Sequence, residues 1–162
     1  MLKPYENTDF KLLQSWITDG DMLFRFAGTE FSYPITEDQI LSYQGKYPER
    51  HFYVGYIDDS KPFSFGEIIP QDGGIPRLGR LLIGDPGLRD KGLGVFFVKL
   101  LIDECKKLFG TKAVELYVSD NNIPAIKCYK SAGFKFMEIP SFVLVHNNKE
   151  YNIVKMRLDI DN

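Results

Sequence analysis

A short basic segment with two glycines, residues 88–97 (LRDKGLGVFF), follows an apolar run and opens the longest helical pattern of the chain. The run at residues 81–83 is typical of a strand, and apolar residues keep helical spacing from the glycines to about Phe109. A helix that starts directly after a tight turn leaves the N–H groups of its first turn without partners. Those groups and the helix dipole favour an anion, most often a phosphate. The sequence therefore predicts a pyrophosphate-binding turn in front of this helix.

The residues of the turn indicate which phosphate compound would bind. Gly92 and Gly94 have no Cβ, so a ligand can approach their backbone closely, and Arg89 and Lys91 add positive charge. The order is not GxxxxGK[ST], and no Ser or Thr follows the glycines to hold magnesium, which argues against a Walker-type nucleotide site. It is not GxGxxG either, so a dinucleotide-binding fold has little support. The competing interpretation is a turn whose glycines serve close packing alone.

Length and composition are those of one soluble domain, which we expect to cover residues 1–162. Apolar residues make up 44% of the chain, and 20 basic residues face 22 acidic ones, for a net charge of −2. This balance gives no support to a nucleic-acid surface. The chain shows neither the apolar stretch of a signal peptide nor a run long enough to span a membrane. We therefore expect a cytoplasmic protein that binds neither nucleic acid nor a membrane.

The two cysteines, Cys105 and Cys128, fall within predicted helices. A disulfide scaffold is not expected in the cytoplasm, and two cysteines with two distant histidines do not form a zinc site. We interpret both as reduced core residues and expect no metal.

The spacing of apolar residues predicts the order β-α-α-β-β-β-α-β-α-β-β. The segment at 21–28 fits either a short helix or an irregular loop, and Gly20 is expected to end the helix before it. Thr36-x-x-Gln39 is a capping box for the second helix. The buried stripe of the helix at 92–109 is expected to consist of Leu93, Phe96, Phe97, Leu100, Leu101, Cys105 and Leu108. Consecutive hairpins dominate the middle of the chain. The order therefore indicates an α/β or α+β protein with a mixed, largely antiparallel sheet.

A second motif follows the phosphate turn after one helix and one strand. It reads Val118-x-x-x-Asn122-x-x-Ala125-Ile126-x-x-Tyr129-x-x-x-Gly133-Phe134. Together with Arg89-x-x-Gly92-x-Gly94, in this order and on these element types, it resembles the two signatures of GNAT-type N-acetyltransferases. The stretch at 79–86 resembles the branch that includes ribosomal-protein N-terminal acetyltransferases.

The resemblance implies a sheet of about seven strands with about four helices, in which two parallel strands, 75–83 and 113–118, splay apart to hold acetyl-CoA. The backbone near Leu82 and Ile83 would pair with the pantetheine arm, and the Asn122 side chain would contact it. Tyr129 would lie near the sulfur and act in catalysis. The pyrophosphate would bind the turn formed by Arg89, Asp90, Lys91, Gly92, Leu93, Gly94 and Val95.

The chemistry of acetyl transfer gives these roles a reason. The reaction needs a neutral amine, a backbone donor for the developing oxyanion and a proton for the departing thiolate. The hydroxyl of Tyr129 suits the last task, although its ring could also serve only to pack the helix on the sheet. Asn122 could serve as a helix cap alone, or as both cap and cofactor contact.

The chain departs from the family pattern at two places. Asp90 stands where the family commonly has glycine, which places a carboxylate beside the pyrophosphate unless it points to solvent. The stretch 78–83 also lacks the glutamate that many members use as general base. Glu67, Glu115 and Ser119 are nearby candidates, but we interpret each as a solvated or capping residue. A water-mediated route and an amine that arrives neutral both remain open.

In this fold the acceptor binds between the first two helices and the last hairpin. Asp21 or Glu30 would suit a cationic amine, although both can equally be solvated residues. Trp16 and Phe24 are interpreted as core residues, and His146 as an exposed turn residue. The other candidates in this region are Arg25, Phe26, Tyr33, Tyr43 and Phe142.

The leading functional hypothesis is an acetyl-CoA-dependent N-acetyltransferase that acts on a primary amine. The acceptor could be a protein N-terminus, a polyamine or antibiotic, or an amino-acid derivative. A non-catalytic acyl-CoA-binding module on the same fold is the alternative, and a nucleotide-binding regulator is a third, less supported one. The protein is expected to be a monomer or a homodimer.

Overall fold

The computed structural model describes residues 1–160, which form an eight-stranded sheet and five α-helices. The strands are β1 (Leu2–Pro4), β2 (His51–Tyr56), β3 (Pro62–Ile69), β4 (Arg77–Ile83), β5 (Ala113–Ser119), β6 (Lys135–Phe136), β7 (Phe142–His146) and β8 (Lys149–Asp159). The helices are α1 (Phe10–Trp16), α2 (Gly20–Ala27), α3 (Glu37–Lys46), α4 (Leu93–Phe109) and α5 (Ile123–Ala132).

The sheet has the order β1-β2-β3-β4-β5-β8-β6, and β7 pairs with β8. Every pairing is antiparallel except that of β4 with β5. The predicted mixed, largely antiparallel architecture with one parallel pair is confirmed, with one strand and one helix more than expected. Among the described residues, no helix has the length and apolar content to cross a bilayer.

Helices cover both faces of the sheet. On one face, α1, α2 and α3 bury a cluster that includes Phe52, Val54 and Phe65 of the sheet. On the other face, α4 and α5 bury a second cluster that includes Val114 and Met156. Strand β3 is therefore buried along nearly its whole length on both sides.

The ambiguous segment at 21–28 is a helix, and the expected end of the preceding helix at Gly20 is wrong. Helix α1 stops at Trp16, and Gly20 is the first residue of α2. The carboxylate of Asp19 accepts a hydrogen bond from the Met22 amide at 2.7 Å and so caps the new helix. The N-cap signal one residue before Gly20 outweighs the glycine as a stop.

Only half of the predicted capping box forms. The Gln39 amide donates to Thr36 Oγ1 at 3.3 Å, as expected. The Gln39 side chain, however, bonds the backbone of Ser32 and Pro34 instead of reaching back to Thr36. The side chain therefore fixes the loop before α3 rather than the helix end itself.

The buried face of α4 is rotated from the predicted stripe. Phe97, Leu101 and Cys105 are buried as expected, but Val98 and Ile102 complete the face. Phe96 and Leu108, which were expected inside, are 42% and 43% exposed. Cys105 and Cys128 are both free thiols, as predicted.

Strands β4 and β5 meet only at their first residues and then separate. Their register pairs Arg77 with Glu115 and Leu78 with Leu116, and nothing beyond. The separation coincides with a bulge in β4, where Arg80 adopts φ 48 and the register to β3 shifts by one residue. The structure thus contains the predicted splayed parallel pair.

A buried ion pair lies beneath this bulge. Arg80 Nη1 is 2.9 Å from Glu67 Oε1, and the Glu67 side chain is 0% exposed. The guanidinium stacks on the Tyr43 ring at 4.7 Å, and Arg50 donates a hydrogen bond to the Tyr43 hydroxyl. Glu67 Oε2 has no partner among the described residues, and burial raises the pKa of this carboxyl against the opposing effect of Arg80. The interpretation of Glu67 as a solvated or capping residue is therefore wrong.

Replacing Gly84 by alanine tests how tightly α1 sits on the end of β4. A Cβ at this position would lie 1.9 Å from Trp16 Cδ2, so the indole would have to move. We expect Gly84→Ala to lower the free energy of unfolding in urea by about 1–3 kcal/mol. The control Gly45→Ala has nothing within 4 Å of the new Cβ and should be neutral or stabilising. Equal stability of the two variants would contradict this packing.

Replacing Arg80 by methionine tests the buried pair. The unpaired Glu67 carboxylate should cost about 3–5 kcal/mol of unfolding free energy near pH 8. Because the raised pKa favours the folded state only while the carboxyl is protonated, the loss should shrink as pH falls towards the unfolded value of about 4.3. Urea titrations of wild type and variant at several pH values measure this. The double variant Glu67→Gln/Arg80→Met should recover most of the loss, and a loss independent of pH would refute the assignment.

Candidate active site

The opening between β4 and β5 presents backbone groups that the sheet leaves unused. The Gly84 amide donates to the Phe63 carbonyl at 2.8 Å, while Ile83 lies opposite Ser64. Because successive residues of a strand direct their backbone groups to alternate sides, Gly84 and Leu82 face β3. The N–H and C=O of Ile83 therefore face the opening.

The loop from β4 to α4 leaves a run of donors free. Asp85 accepts from the Gly87 amide and fixes a single 3-10 turn at Pro86–Leu88. Asp90 and Gly92 then adopt left-handed conformations, with φ 62 and 77. Among residues 1–160, no acceptor is bonded to the backbone N–H groups of residues 90–95. Free amides at a helix start favour an anion.

The charged side chains of the loop point outward. Arg89, Asp90 and Lys91 are all exposed, so the Asp90 carboxylate meets solvent. Arg89 Nε donates to the Ile83 carbonyl at 3.2 Å, which ties the loop to the strand. The loop is therefore electropositive where its free amides are, with one carboxylate at its margin.

The two glycines of the motif have different structural surroundings. A Cβ on Gly92 would meet nothing within 4 Å, so this position is open to a ligand and needs glycine for its positive φ. A Cβ on Gly94 would lie 3.1 Å from Cys128 Sγ, where α4 crosses α5. Gly94 therefore serves close helix packing, whereas Gly92 leaves its backbone open to the approach of a ligand.

Helix α5 carries the residues of the second motif. Asn122 Oδ1 accepts from the Ala125 amide at 3.4 Å, so its side chain is an N-cap, and its NH₂ group bonds to no described residue. The Tyr129 ring is partly buried and contacts Phe134 edge to face at 6.2 Å. Its hydroxyl bonds to nothing within residues 1–160, and burial raises the pKa of Tyr129, which keeps the hydroxyl protonated at neutral pH.

The remaining base candidates are occupied. Glu115 is 6% exposed, 3.0 Å from Lys155 Nζ and 3.8 Å from Arg157, so its interpretation as solvated or capping is wrong. Ser119 Oγ donates to the Asn121 side chain at 2.6 Å in the turn before α5, while the N-cap of α5 is Asn122. Within the described part of the chain, the carboxylates of Glu67 and Glu115 are both paired with cations.

The last hairpin docks on α2 through His146. Its Nε2 lies 2.8 Å from Asp21 Oδ1, and its ring stacks on Phe24 at 4.6 Å. His146 ends β7, and the turn consists of Asn147 and Asn148, both with positive φ. The expectation that His146 is simply exposed in a turn is therefore wrong, although Phe24 is a buried core residue as expected.

The other acceptor candidates divide by burial. Phe26 and Tyr43 are core residues, and Trp16 is partly buried over Gly84. Tyr33 is half exposed, and its hydroxyl donates to the Thr18 carbonyl at 2.9 Å. The exposed ones are Arg25, Glu30 and Phe142. Sequence reasoning missed Arg77 and Tyr117, which face the opening from the base of β4 and from β5. Alternation from Glu115 could have placed Tyr117 there.

Comparison with known proteins identifies the family. The sequence profile of the Acetyltransferase (GNAT) family matches residues 19–134. An uncharacterized N-acetyltransferase of Schizosaccharomyces pombe is 29% identical over 161 residues, which cover 97% of this chain and 90% of that protein.

Solved structures share the fold. The spermidine N-acetyltransferase of Vibrio cholerae in complex with CoA and spermine has a TM-score of 0.80 at 13% identity, and the match covers 98% of this chain and 94% of that one. AAC(6')-Ib in complex with ribostamycin and coenzyme A has a TM-score of 0.76 at 18% identity, over 98% and 92%. The profile match spans most of the sequence and contains both motifs. The chain therefore belongs to the acetyltransferase (GNAT) family.

Proposed function

We propose that this chain is an acetyl-CoA-dependent N-acetyltransferase that transfers the acetyl group to a primary amine, and that it forms one such domain. The observation that carries the proposal is the run of free backbone N–H groups at residues 90–95, beside the opening between β4 and β5. Neighbours of this fold hold CoA together with an amine, spermine in one and ribostamycin in the other. They support an amine acceptor and leave its identity open.

The loop residues fit a pyrophosphate. The free amides of Gly92, Leu93, Gly94 and Val95 supply donors, and the dipole of the 17-residue helix α4 adds positive potential. The exposed side chains of Arg89 and Lys91 add positive charge. The amides of Asp90 and Lys91 belong to the same free run, and the Asp90 side chain is in solvent, where its repulsion is screened.

The opening suits the pantetheine arm, which carries amide groups. The N–H of Ile83 faces the opening and would donate to the arm, and its C=O would accept with the lone pair that Arg89 Nε leaves free. Leu82 would contribute through its side chain because its backbone faces β3. The free NH₂ of Asn122 would donate to the same arm while its oxygen caps α5. One side chain can do both because it has donor and acceptor atoms.

We assign the proton for the leaving thiolate to Tyr129. The acceptor nitrogen forms the new C–N bond as the C–S bond breaks, and the sulfur takes the phenolic proton. The acylated nitrogen gives its extra proton to water, and Tyr129 is reprotonated from solvent. A hydroxyl with a raised pKa and no competing partner is protonated and available for this. Because Glu67 and Glu115 are paired with cations, we propose that the amine loses its own proton to water or arrives neutral.

The variant Gly92→Glu tests the pyrophosphate loop. A carboxylate at this open position repels a diphosphate, so we expect acetyl-CoA to bind at least about tenfold more weakly by calorimetry. The matched control is Gly73→Glu. The φ angle is 92° at Gly73 and 77° at Gly92, and both positions leave open space for a Cβ, but Gly73 lies in another turn. The control should bind normally. Equal affinity of both variants would remove the loop from the cofactor site.

The variant Tyr129→Phe tests the proton donor. We expect turnover to fall by about 100-fold with acetyl-CoA affinity unchanged, a typical effect of losing a general acid. Thiol release in the presence of an amine measures it. Tyr53→Phe removes a buried hydroxyl bonded to Glu104 on another part of the sheet and should keep full turnover. Unchanged turnover in Tyr129→Phe would exclude the residue, and acetyl-CoA binding without amine-dependent thiol release would favour a non-catalytic module.

A further inference from the structure

One part of the sheet face beside the opening has no helix over it. Tyr117 points to the same face as Glu115, because alternate residues of β5 share a face, and Lys155 of β8 lies directly opposite it. Tyr117 is 37% exposed, and Phe142 packs against its edge at 5.3 Å with 43% exposure. The docked hairpin bounds this surface on one side. A small molecule that enters from this face meets Tyr117 before it reaches the opening.

Arg77 lies at the apex of the opening. It is the first residue of β4, and its guanidinium stands over the Tyr117 ring at 4.9 Å. Its Nη1 is 3.9 Å from where a Cβ on Gly79 would be, so the side chain runs along the strand towards the point where β4 and β5 separate. No carboxylate of residues 1–160 lies within 4.0 Å of this guanidinium. The Arg77 guanidinium thus lies over the Tyr117 ring with no carboxylate of residues 1–160 in contact.

The two buried carboxylates near the opening are already paired with cations. Glu67 is paired with Arg80, and Glu115 with Lys155. Asp21 contacts the His146 ring and the Asn147 amide group. Burial lowers the pKa of Arg77, and the charges of Arg50 and Arg80 also lower it, while Tyr117 and Glu67 oppose them. Within residues 1–160, no carboxylate is in direct contact with Arg77 at the apex.

We propose that the acceptor is an amine that also carries a carboxylate, as in an amino acid, and that Arg77 binds that carboxylate over the Tyr117 ring. The proposal rests on the proposed acetyltransferase function and names its substrate class. A guanidinium matches a carboxylate with two parallel hydrogen bonds, and a half-buried arginine with no counter-ion gains most from one. Lys155, 5.2 Å from the same ring, is already paired with Glu115, so Arg77 is the cation left for the carboxylate.

A polycation does not fit these charges. It would need unpaired carboxylates inside the opening, and the buried Glu67 and Glu115 would each have to leave a cationic partner to serve. Asp21 and Glu30 are exposed at the surface. A polycation would also approach the charge of Arg77. The aromatic ring of Tyr117 could attract a cation, but Arg77 and Lys155 already lie over it.

The test compares L-amino acids with their own carboxamides as acceptors, with spermidine as the polycation. The carboxamides have the less basic amines, so intrinsic reactivity alone would favour them. We expect kcat/KM to be about tenfold to a hundredfold higher for the acids, the range that a charged hydrogen-bonded pair supplies. Arg77→Met should abolish this preference by slowing only the acids, and Arg77→Lys should retain part of it. Lys99→Met on the exposed side of α4 is the charge-matched control and should behave as wild type.

Two further readouts keep the outcomes distinct. Acetyl-CoA affinity should be unchanged in Arg77→Met, which shows that the variant is folded, and failure of wild type to bind acetyl-CoA would overturn the proposed function itself. Calorimetry of amino acids against the CoA-saturated protein measures carboxylate recognition apart from turnover. The proposal would be overturned if carboxamides or spermidine were used as well as the acids. It would also be overturned if Arg77→Met kept the preference, or if neither turnover nor carboxylate-dependent binding were found.

Discussion

The separation of β4 from β5 is the constraint on which the site depends. Two strands that stay paired satisfy each other's backbone groups, but these two are in register over only two residue pairs. From there on, groups that face the gap, such as the N–H of Ile83, have no partner in the sheet. The bulge at Arg80, held from below by Glu67, lies where the separation begins. A buried ion pair thus lies directly beneath the backbone that shapes the opening.

Charge is distributed differently on the two sides of this opening. On the cofactor side the positive potential comes from backbone amides and the start of α4, with Arg89 and Lys91 at the surface. On the side where we propose that the acceptor binds, Arg77 and Lys155 lie over the Tyr117 ring. The buried carboxylates Glu67 and Glu115 are paired with Arg80 and Lys155 and do not contact Arg77 directly.

Elements with local signals were predictable. Asn122 caps helix α5, as the sequence allowed, and Gly133 stops it in a left-handed conformation. The loop before α4 followed from its glycines and charges, and the fold class from the order of elements. The buried face of α4 could not be predicted correctly from the sequence. Val98 and Ile102 are as apolar as Phe96 and Leu108, so only the sheet beneath decides which pair is buried.

The sequence by itself determined the order of elements, the glycine-bearing turn before α4 and the family, because each depends on residues close together in the chain. The tertiary structure decided the pairings between distant residues. Glu67 reads as a polar residue of a strand, but β3 is covered on both faces, so the carboxylate is buried and takes Arg80 of the next strand as its partner. His146 reads as a turn residue until the hairpin meets Asp21, 125 positions away. Arg77 has no motif around it, and only the parting of two strands places it, without an anion, at the apex of the opening.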